Sequence, residues 1–415
     1  SKASSMSRQN EVFPQLLSQP PLPWLIAAAK EHAEPVLLVG GVIRDALRGD
    51  PHADLDIAVA GDLEAFIDTF ERYCGRCPVA IGDPWRDTRR MRLGNTSVDI
   101  GKIMGTVSED LGQRDFTINA MALRLDVSEP IELIDPHGGS ADLAAGVIRM
   151  ISGEALRDDP LRALRAIRYV STLDGFKIEK STETTISRYA KAIDEVANER
   201  VQAEWERLLG GPHWVSALRL AFDLGLGERT FGGVADLGTV SAWSGFEATV
   251  SDLTPQDCRQ LRLAALLCGL GAANSSMGER LIERRWPVAL ARRATLIGSW
   301  AMAASGADDN QMVGWAIENH EIAFLASCLI HALSADHKQN GAAALKLETY
   351  ATRASETPWV RGMHLVSWGM EEGPMLGALL EQTTRGQVER RWDSCKEAHS
   401  WARAQVTDNL SEMGH

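Results

Sequence analysis

The stretch at residues 36–56, VLLVGGVIRDALRGDPHADLD, constrains the fold of this chain more than any other. Its apolar run at residues 36–39 predicts a short buried strand, which breaks at Gly40 and Gly41. A helix is expected next, and residues 49–51 (Gly-Asp-Pro) end it. A second strand follows that break. The stretch therefore predicts one strand–turn–helix–strand unit.

Asp54 and Asp56 open the second strand and point to one face of it, because side chains alternate along a strand. Leu55 points the other way, into the core. Two carboxylates at this spacing repel each other unless a cation lies between them. Carboxylate oxygens suit Mg²⁺ or Mn²⁺, which keep several waters and bind phosphate oxygens. Asp54 and Asp56 are therefore metal-ligand and catalytic candidates, for two ions about 4 Å apart that hold an attacking hydroxyl and a leaving pyrophosphate in line.

The turn at Gly40 and Gly41 supplies the other half of such a site. Without a Cβ, backbone N–H groups can approach a triphosphate, and the N-terminus of the following helix favours its negative charge. Asp-x-Asp pairs and Gly-Gly turns are each common on exposed strand ends and in loops. Their combination in one unit indicates a nucleotide site.

Residues 40–45 (GGVIRD) and 54–56 (DLD) resemble the head of the polymerase-β-like nucleotidyltransferases. More narrowly, they resemble the bacterial class II tRNA nucleotidyltransferases (CCA-adding enzymes) and bacterial poly(A) polymerases. Three later stretches agree in order: residues 114–120 (RDFTINA), residues 158–162 (DDPLR) with Arg165 and Arg168, and residues 199–204 (ERVQAE). The resemblance covers about half the chain, residues 34–210.

The second motif lies within residues 113–122, QRDFTINAMA. Its alternation predicts a buried face of Phe116, Ile118 and Ala120, opposite a face that presents Asp115, Thr117 and Asn119. Arg114 and Asn119 offer the cation and the neutral donors that a triphosphate or a ribose needs. Family members mostly carry two arginines here, and Gln113 takes the place of the first. The resemblance implies a nucleotide- and triphosphate-binding set of Gly40, Gly41, Arg44, Arg114, Asp115 and Asn119.

The third motif places Asp158, Arg162 and Arg165 at helical spacing, which predicts one helix face with Pro160 in its first turn. A salt-bridge network on a solvated helix would have the same pattern. The resemblance implies instead that Asp158, Asp159 and Arg162 read the base, with Arg165 and Arg168 on the same stretch. A carboxylate accepts from the exocyclic amine that cytosine and adenine share, and an arginine donates to ring acceptors. Such a set selects C and A without a nucleic-acid template.

Further along the head, residues 62–73 predict an amphipathic helix, and residues 78–81, 90–93 and 97–100 predict strands. Asp99 lies on the last of these strands. In the wider superfamily an acidic residue here often completes the carboxylate cluster, so Asp99 is a third catalytic candidate. The alternative is a solvated or structurally hydrogen-bonded aspartate.

Four arginines cluster in the same region: Arg86, Arg89, Arg90 and Arg92. They are either a solvated sheet edge that discourages strand pairing or phosphate contacts for the acceptor end of an RNA.

The expected fold class is α+β, with a small mixed-sheet head followed by an all-helical neck, body and tail. The expected domains are an N-terminal segment at residues 1–35, with a loop and a helix at 23–34, a head at 36–125, a neck at 126–210, and a tRNA-binding body and tail at 211–415. In the last region one basic cluster is a candidate RNA track or a solvated face: Arg280, Arg284, Arg285, Arg292 and Arg293. Trp286, Trp300 and Trp315 are expected in the core.

The formal net charge of −13 counts against a non-specific RNA binder but leaves room for a local basic track. The longest apolar runs are too short for a membrane span, and residues 1–13 lack an apolar signal core, with Met6 expected to be the native start. Six scattered cysteines fit a reducing cytoplasm, and the role of the Cys74 and Cys77 pair stays open.

The expected function is that of a tRNA 3′-terminal nucleotidyltransferase that takes C and A from CTP and ATP and releases pyrophosphate. Its partners are then the tRNA acceptor end and Mg²⁺ or Mn²⁺; a homodimer is left open. Only residues 102–108 separate the Asp99 strand from the second motif, where many CCA-adding members have a long loop. Full CCA addition, CC addition and A addition therefore all stay open. The alternatives are a poly(A) polymerase, a small-molecule nucleotidyltransferase and a catalytically inactive RNA-binding module.

Overall fold

A computed structural model describes residues 2–51, 54–81, 87–126, 131–250, 253–271, 275–333 and 338–413. The chain divides into two compact units, Ser1–Val196 and Ala197–His415. Each unit is described by itself.

The first unit combines helices with a sheet. Its helices are α1 (Lys2–Leu17), α2 (Leu22–Glu31), α3 (Gly41–Arg48), α4 (Leu63–Cys74), α5 (Val107–Gly112), α6 (Gly139–Ala145), α7 (Ala155–Asp158), α8 (Leu161–Thr172) and α9 (Lys180–Tyr189). Its strands are β1 (Val36–Val39), β2 (Asp54–Val59), β3 (Val79–Ile81), β4 (Thr88–Leu93), β5 (Thr96–Lys102), β6 (Ala122–Arg124), β7 (Leu133–Ile134), β8 (Val147–Ile148) and β9 (Lys177–Ile178).

Seven strands form one sheet in the order β3-β4-β5-β2-β1-β6-β7. β2 and β5 run parallel, and the other neighbours in this sheet pair antiparallel. The sheet is therefore mixed, which confirms the α+β fold class. β8 and β9 form a separate parallel pair. Together with β7 they lie within residues 126–210, so the prediction of an all-helical neck was wrong, because these two-residue strands depend on partners distant in the chain and have no local signal.

The two faces of the sheet differ in how much apolar surface they bury. One face, with Leu55 and Ile57 of β2, packs on the helices through Phe66 and Phe70 of α4 and Leu25 of α2. The other face carries a smaller cluster that includes Val39, Ala58 and Leu111. Truncation of a fully buried phenylalanine costs about 3–5 kcal/mol, so Phe66 and Phe70 make the first face a large contributor to the stability of the head. The second face is the one on which Asp54 and Asp56 lie.

The N-terminal segment differs from its prediction as a loop followed by one helix. It forms two helices, α1 and α2, and both contribute to the core of the head. Phe13 and Leu16 of α1 are buried there together with Leu22 of α2. The prediction of a loop was wrong because this helix is stabilised by tertiary burial, which local sequence signals do not report.

In the second unit, every described element of regular secondary structure is helical, which confirms the prediction for this half of the chain. The helices are α10 (Asn198–Gly210), α11 (Trp214–Asp223), α12 (Leu226–Phe231), α13 (Leu237–Glu247), α14 (Pro255–Gly269), α15 (Ser275–Glu283), α16 (Val288–Ala303), α17 (Asp309–Glu318), α18 (His320–Leu333), α19 (Lys338–Ser355), α20 (Gly362–Ser367), α21 (Pro374–Val388) and α22 (Cys395–Met413).

The three tryptophans expected in the core of this unit pack with other apolar side chains. Trp286 and Trp300 are buried. Trp315 is partly exposed and stacks on Trp300, with ring centroids 5.5 Å apart. Burial therefore confirms the core prediction for the first two, whereas Trp315 is only partly buried beside Trp300.

No helix in the described ranges is both long enough and apolar enough to cross a bilayer. All six cysteines are free thiols. Cys77 is exposed and Cys74 is half-buried at the end of α4.

Candidate active site

Three aspartates share one face of the sheet. Asp54 and Asp56 lie on β2, on the face opposite the buried Leu55. β5 runs parallel beside β2 and places Asp99 directly next to Asp56. Neighbouring residues in register point to the same face, so the three carboxylates line one side.

The charge on Asp56 is only partly compensated by the protein. Although the side chain is partly exposed, the surrounding protein displaces water and raises its pKa above the ordinary value, and Arg114 opposes this rise. Asp99 and Asp54 add to it by repulsion. A raised pKa means that ionised Asp56 costs folding free energy, which is regained as pH falls through the folded pKa. A cation would relieve the same repulsion, so the donor set fits a divalent metal ion.

Asp99 is held by an arginine. Arg90 of β4 donates from Nε and Nη2 to the two carboxylate oxygens of Asp99, both at 2.6 Å. Among the described residues, no group of three or more His, Cys, Asp or Glu side chains converges on a metal position. Asp99 thus forms structural hydrogen bonds with Arg90, and its role as a third catalytic carboxylate stays a prediction.

The glycine turn leads directly to this face. Gly40 has φ of 87° and ψ of −144°, a conformation that only glycine adopts without strain. A Cβ on Gly40 would lie 2.6 Å from Nη1 of Arg114 and 3.0 Å from Oδ2 of Asp56. Those two side chains are themselves 3.6 Å apart. Gly40 is therefore needed both for the turn and for the close approach of Arg114 to Asp56.

Arg114 faces this turn with unused hydrogen-bonding capacity. Its Nε is buried and has no hydrogen-bond partner among the described residues. A cation with a free donor beside Asp56 and a glycine turn can bind an anionic group such as a phosphate. Arg114 is thus the arginine of the predicted triphosphate set that lies closest to the carboxylates.

We expect Gly40→Ala to destabilise the first unit by about 1–3 kcal/mol, because alanine is strained at this φ and ψ and its Cβ displaces Arg114. Gly49→Ala is the matched control, since Gly49 also has a positive φ of 81° but its Cβ would meet nothing within 4 Å. Thermal unfolding of both variants checks the difference. Equal melting temperatures would contradict a role for the contact with Arg114.

Arg44, another member of the predicted triphosphate set, is buried in a polar network. Its guanidinium donates to Asp45 from Nε at 2.8 Å and to Oδ1 of Asn119 from Nη1 at 2.6 Å. It also lies 5.0 Å from the ring centroid of Tyr169. Asn119 donates in turn to Oδ1 of Asp115 at 2.8 Å and to the Tyr169 hydroxyl at 3.0 Å. Arg44 and Asn119 therefore connect α3 to the second and third motifs.

The second motif does not alternate as predicted. Residues 117–119 form a 3₁₀ turn, and Thr117 and Asn119 are buried along with Ile118. Asp115 is buried as well. The predicted open polar face was wrong because a 3₁₀ turn has a period of three residues and because the protein supplies the polar partners.

Asp115 forms an ion pair with Arg165 of α8. Nε and Nη2 of Arg165 donate to Oδ2 of Asp115 at 2.9 and 2.8 Å. Burial by itself raises the pKa of Asp115, but Arg165 and hydrogen bonds from Asn119 and the Phe116 N–H outweigh it and lower the pKa below the ordinary value. The pair thus joins the second motif to the third.

The third motif is split between two helices. α7 ends at Asp158, Asp159 is extended, and α8 starts after Pro160. The prediction of one helix face for Asp158, Arg162 and Arg165 was therefore wrong for Asp158. The physical reason is that proline disfavours helical geometry in the residue before it.

The remaining residues of the third motif lie at the start of α8 and along it. The carboxylate of Asp159 accepts from the Leu161 N–H at 3.2 Å. Arg162 donates from Nη2 to the Gln113 carbonyl at 2.6 Å. Arg168 lies 4.3 Å from the ring centroid of Tyr169. The second and third motifs are therefore in direct contact. At position 113 this contact uses the backbone carbonyl, so it does not depend on which side chain stands there.

Tyr169 is the member of this network that sequence analysis missed. It accepts from Asn119, and it lies under the guanidinium groups of Arg44 and Arg168. Its position one helical turn after Arg165 was the available signal, since residues i and i+4 lie on one helix face.

In the second unit, the arginines of the candidate RNA track are not equivalent. Arg284 donates to the Arg229 carbonyl at 2.9 Å, Arg285 pairs with Glu199 at 3.4 Å, and Arg293 pairs with Glu321 at 3.3 Å. Arg292 is exposed. Arg280 packs against Gly232. Most of the cluster thus has structural contacts within its own unit.

The mixed sheet, with an aspartate pair beside a glycine turn, lies in the part of the chain that matches a polymerase head domain. Residues 36–149 match the family described as "Poly A polymerase head domain", and residues 175–237 match "Probable RNA and SrmB- binding site of polymerase A". The sequence relatives of the chain are tRNA nucleotidyltransferases, and its structural neighbours include CCA-adding enzymes.

The chain is similar to several curated relatives over roughly half its length. A CC-adding tRNA nucleotidyltransferase of Synechocystis sp. is 32% identical over 65% of this chain and 61% of the relative. A CCA-adding enzyme of Bacillus cytotoxicus is 33% identical, over 47% of this chain and 51% of the relative. An A-adding tRNA nucleotidyltransferase of Deinococcus radiodurans is 37% identical, over 46% and 44%. The chain thus spans between 44% and 61% of these relatives.

The fold is similar to solved structures over nearly the whole chain. A Thermotoga maritima CCA-adding enzyme complexed with tRNA has a TM-score of 0.72 at 23% identity, over 95% of this chain and 98% of the other. A Bacillus stearothermophilus CCA-adding enzyme in complex with CTP has a TM-score of 0.68 at 25% identity, over 95% and 100%.

Proposed function

We propose that this protein is a tRNA 3′-terminal nucleotidyltransferase that adds C and A from CTP and ATP without a template and releases pyrophosphate. The observation that carries the proposal is the approach of Arg114 to Asp56 across the Gly40 turn, on the sheet face that holds Asp54. This arrangement brings an anion-binding group beside a metal-binding pair. The CC-, CCA- and A-adding activities named for the relatives support the same reaction class.

In this proposal Asp54 and Asp56 hold Mg²⁺, as two ions, with Mn²⁺ as a substitute. When bound, the metal supplies charge neutralisation at the transferred phosphoryl group. Arg114 binds the triphosphate. Gly40, which has no Cβ, leaves room for the side chains of Arg114 and Asp56. The 3′-oxygen of the tRNA then attacks the α-phosphorus of the nucleotide, and pyrophosphate leaves. Catalysis is mostly positioning and electrostatic stabilisation, as in other phosphoryl transfers.

Base selection is assigned to Asp159 and Arg162, with Asp158 at the end of the preceding helix. Asp159 accepts from the amine that cytosine and adenine share, and Arg162 donates to the ring acceptors. The Gln113 carbonyl holds one edge of Arg162, which restrains its orientation. Arg165, Arg168, Asp115, Asn119 and Arg44 position these groups through the buried network described above.

The proposed domain roles follow the sequence boundaries. The head, residues 36–125, binds metal and triphosphate; the neck, residues 126–210, selects the base; and the body and tail, residues 211–415, bind the tRNA. The N-terminal segment, residues 1–35, completes the core of the head.

Addition restricted to CC is the second candidate, and one observation favours it. β5 ends at Lys102 and α5 begins at Val107, with Thr106 as its N-cap. This connection has no room for the long loop that many CCA-adding members carry between these elements. A CC-adding relative at 32% identity agrees with this candidate.

The test uses three tRNA transcripts that end before the C residues, after one C and after CC, each with Mg²⁺ and labelled CTP, ATP or both. CC followed by A means full CCA addition. A halt at CC means the restricted enzyme, and incorporation of a single A only after CC means an A-adding enzyme. A long A tract on unrelated RNA would assign the protein to the poly(A) polymerases. No incorporation on any transcript would contradict the proposed reaction.

A further inference from the structure

The arginines near residue 90 lie on two different faces of the sheet. β4 lies between β3 and β5, so its arginines are not on the edge strand, which is β3. Arg89 points to the helix-covered face, where it pairs with Glu64 of α4. Arg90 and Arg92 are exposed on the opposite face, on either side of the buried Met91. Arg86 lies outside the described residues.

The register of the sheet puts these two arginines in line with the carboxylates. In the strand register, Arg90 lies opposite Asp99, and Asp99 lies opposite Asp56 on the next strand. Two residues along β4, Arg92 lies opposite Ser97, and Ser97 lies opposite Asp54. Adjacent strands lie about 4.8 Å apart, so each arginine is about 10 Å, two strands, from its aspartate.

Arg90 is fixed by Asp99 and keeps hydrogen-bond donors that are unpaired within the described ranges. Asp99 accepts from its Nε and Nη2 at 2.6 Å each. Nη1 has no acceptor among the described residues, and the side chain remains 54% exposed. Arg92 is also exposed and donates Nε to the Gly94 carbonyl at 3.3 Å. The two side chains are about 7 Å apart along the strand, by the rise of two residues.

We propose that Arg90 and Arg92 bind the backbone phosphates of the RNA 3′ end that the Asp54–Asp56 site extends, and that Asp99 is the positioning residue for Arg90. This inference rests on the proposed function. A terminal nucleotide whose 3′-hydroxyl lies at Asp54 and Asp56 carries its own phosphate one sugar away, and Arg90 and Arg92 are exposed cations two strands away on the same sheet face. An arginine fork matches a phosphate, and a carboxylate that fixes one edge of the fork reduces the entropy lost on binding.

This assignment also gives Asp99 a role beside Asp56. Both of its oxygens accept from Arg90, so the guanidinium neutralises its charge and is held in one orientation. Arg90 in turn brings positive charge to an otherwise acidic face, where an RNA backbone must approach. Phosphate contacts of this kind set register and do not read the base, so they serve every round of addition equally.

The first experiment measures RNA binding without nucleotide or metal, at several salt concentrations. Arg90→Met and Arg92→Met each weaken binding of the tRNA transcript about 5- to 20-fold, and each lowers the salt slope by about 0.7, the value for one single-strand phosphate contact. Arg89→Met is the matched control, with the same charge change on the same strand but on the other face. Loss of binding no larger than in Arg89→Met would overturn the proposal.

The second experiment separates the role of Asp99 from metal binding. Asp99→Asn leaves Mn²⁺ binding by the RNA-free protein unchanged, whereas Asp54→Asn abolishes it. In turnover, Asp99→Asn and Arg90→Met raise KM for the tRNA several-fold, with KM for CTP within twofold of the unaltered protein. Loss of Mn²⁺ binding in Asp99→Asn would make it a metal ligand and would refute the inference.

The two proposals fail in different ways. If the unaltered protein incorporates no nucleotide, the proposed function fails, whatever the RNA-binding results. If it incorporates C or A and the two β4 variants bind RNA normally, the function stands and the phosphate track is wrong.

Discussion

Asp54→Ala is expected to lower nucleotide incorporation at least about 1,000-fold, or about 4 kcal/mol of transition-state stabilisation, while the first unit unfolds at the same temperature. Asp54 is exposed at the start of β2, so its truncation removes no buried contact. It does remove half of the carboxylate pair that would hold the metal. Incorporation of labelled nucleotide into the tRNA transcript measures the loss of activity. Thermal unfolding of the same preparation measures whether stability is unchanged.

Asp68→Ala serves as the control for Asp54→Ala, since Asp68 is an exposed aspartate on the outer face of α4. It should retain full incorporation and an unchanged melting temperature. Normal turnover by Asp54→Ala would remove the basis for a metal site on this face. A large loss of thermal stability in that variant would instead mean that Asp54 has a structural role.

Arg165→Met is expected to destabilise the first unit strongly. It leaves the carboxylate of Asp115, which is only 9% exposed, without its ion-pair partner. Breaking a buried pair costs about 3–5 kcal/mol, and the partial exposure of Arg165 puts this case near the lower end. For a unit of this size that corresponds to a fall in melting temperature of roughly 6–12 °C, which calorimetry or circular dichroism can measure.

The double variant Asp115→Asn with Arg165→Met is the control, because it has no unpaired buried charge. It should unfold at a higher temperature than Arg165→Met alone. If the single and double variants unfold together, the cost lies in lost packing of Arg165 and not in the unpaired Asp115.

The pH dependence of stability provides a further readout of the same pair. The folded pKa of Asp115 is lowered, so its ionised form stabilises the fold above the unfolded pKa of about 3.9, and this contribution is lost as pH falls through the folded pKa. In Arg165→Met the main attraction that lowers the pKa is absent. The stability of that variant should therefore depend less steeply on pH below about 4 than that of the unaltered protein.

The buried network has a consequence for the proposed reaction. Arg44, Asn119 and Asp115 connect the helix after the glycine turn with α8, which begins beside the residues proposed to read the base. A change at Arg165 should therefore alter nucleotide selection as well as stability. The triphosphate and the base would then be bound at opposite ends of one rigid hydrogen-bond network, and accurate positioning of a substrate requires such rigidity.

Local sequence by itself determined the unit at residues 36–59. An apolar run, a glycine pair, a helix with a glycine stop and an Asp-x-Asp strand are each short-range patterns, and the structure has all of them within a few residues of their predicted bounds. The helical second half and the amphipathic α4 were predictable for the same reason. Periodicity of apolar residues depends only on neighbours along the chain.

The tertiary structure decided which side chains meet. The pairing of Asp99 with Arg90, the burial of Arg44 against Asn119, and the ion pair of Asp115 with Arg165 join residues between 9 and 75 positions apart. Strand order and register set these contacts, and no local pattern reports them. The split of the third motif at Pro160 and the 3₁₀ turn at residues 117–119 also depend on packing and on hydrogen-bond partners elsewhere in the unit. The sequence thus determined most of the elements, and long-range pairing determined which of their polar groups are fixed inside and which face the site.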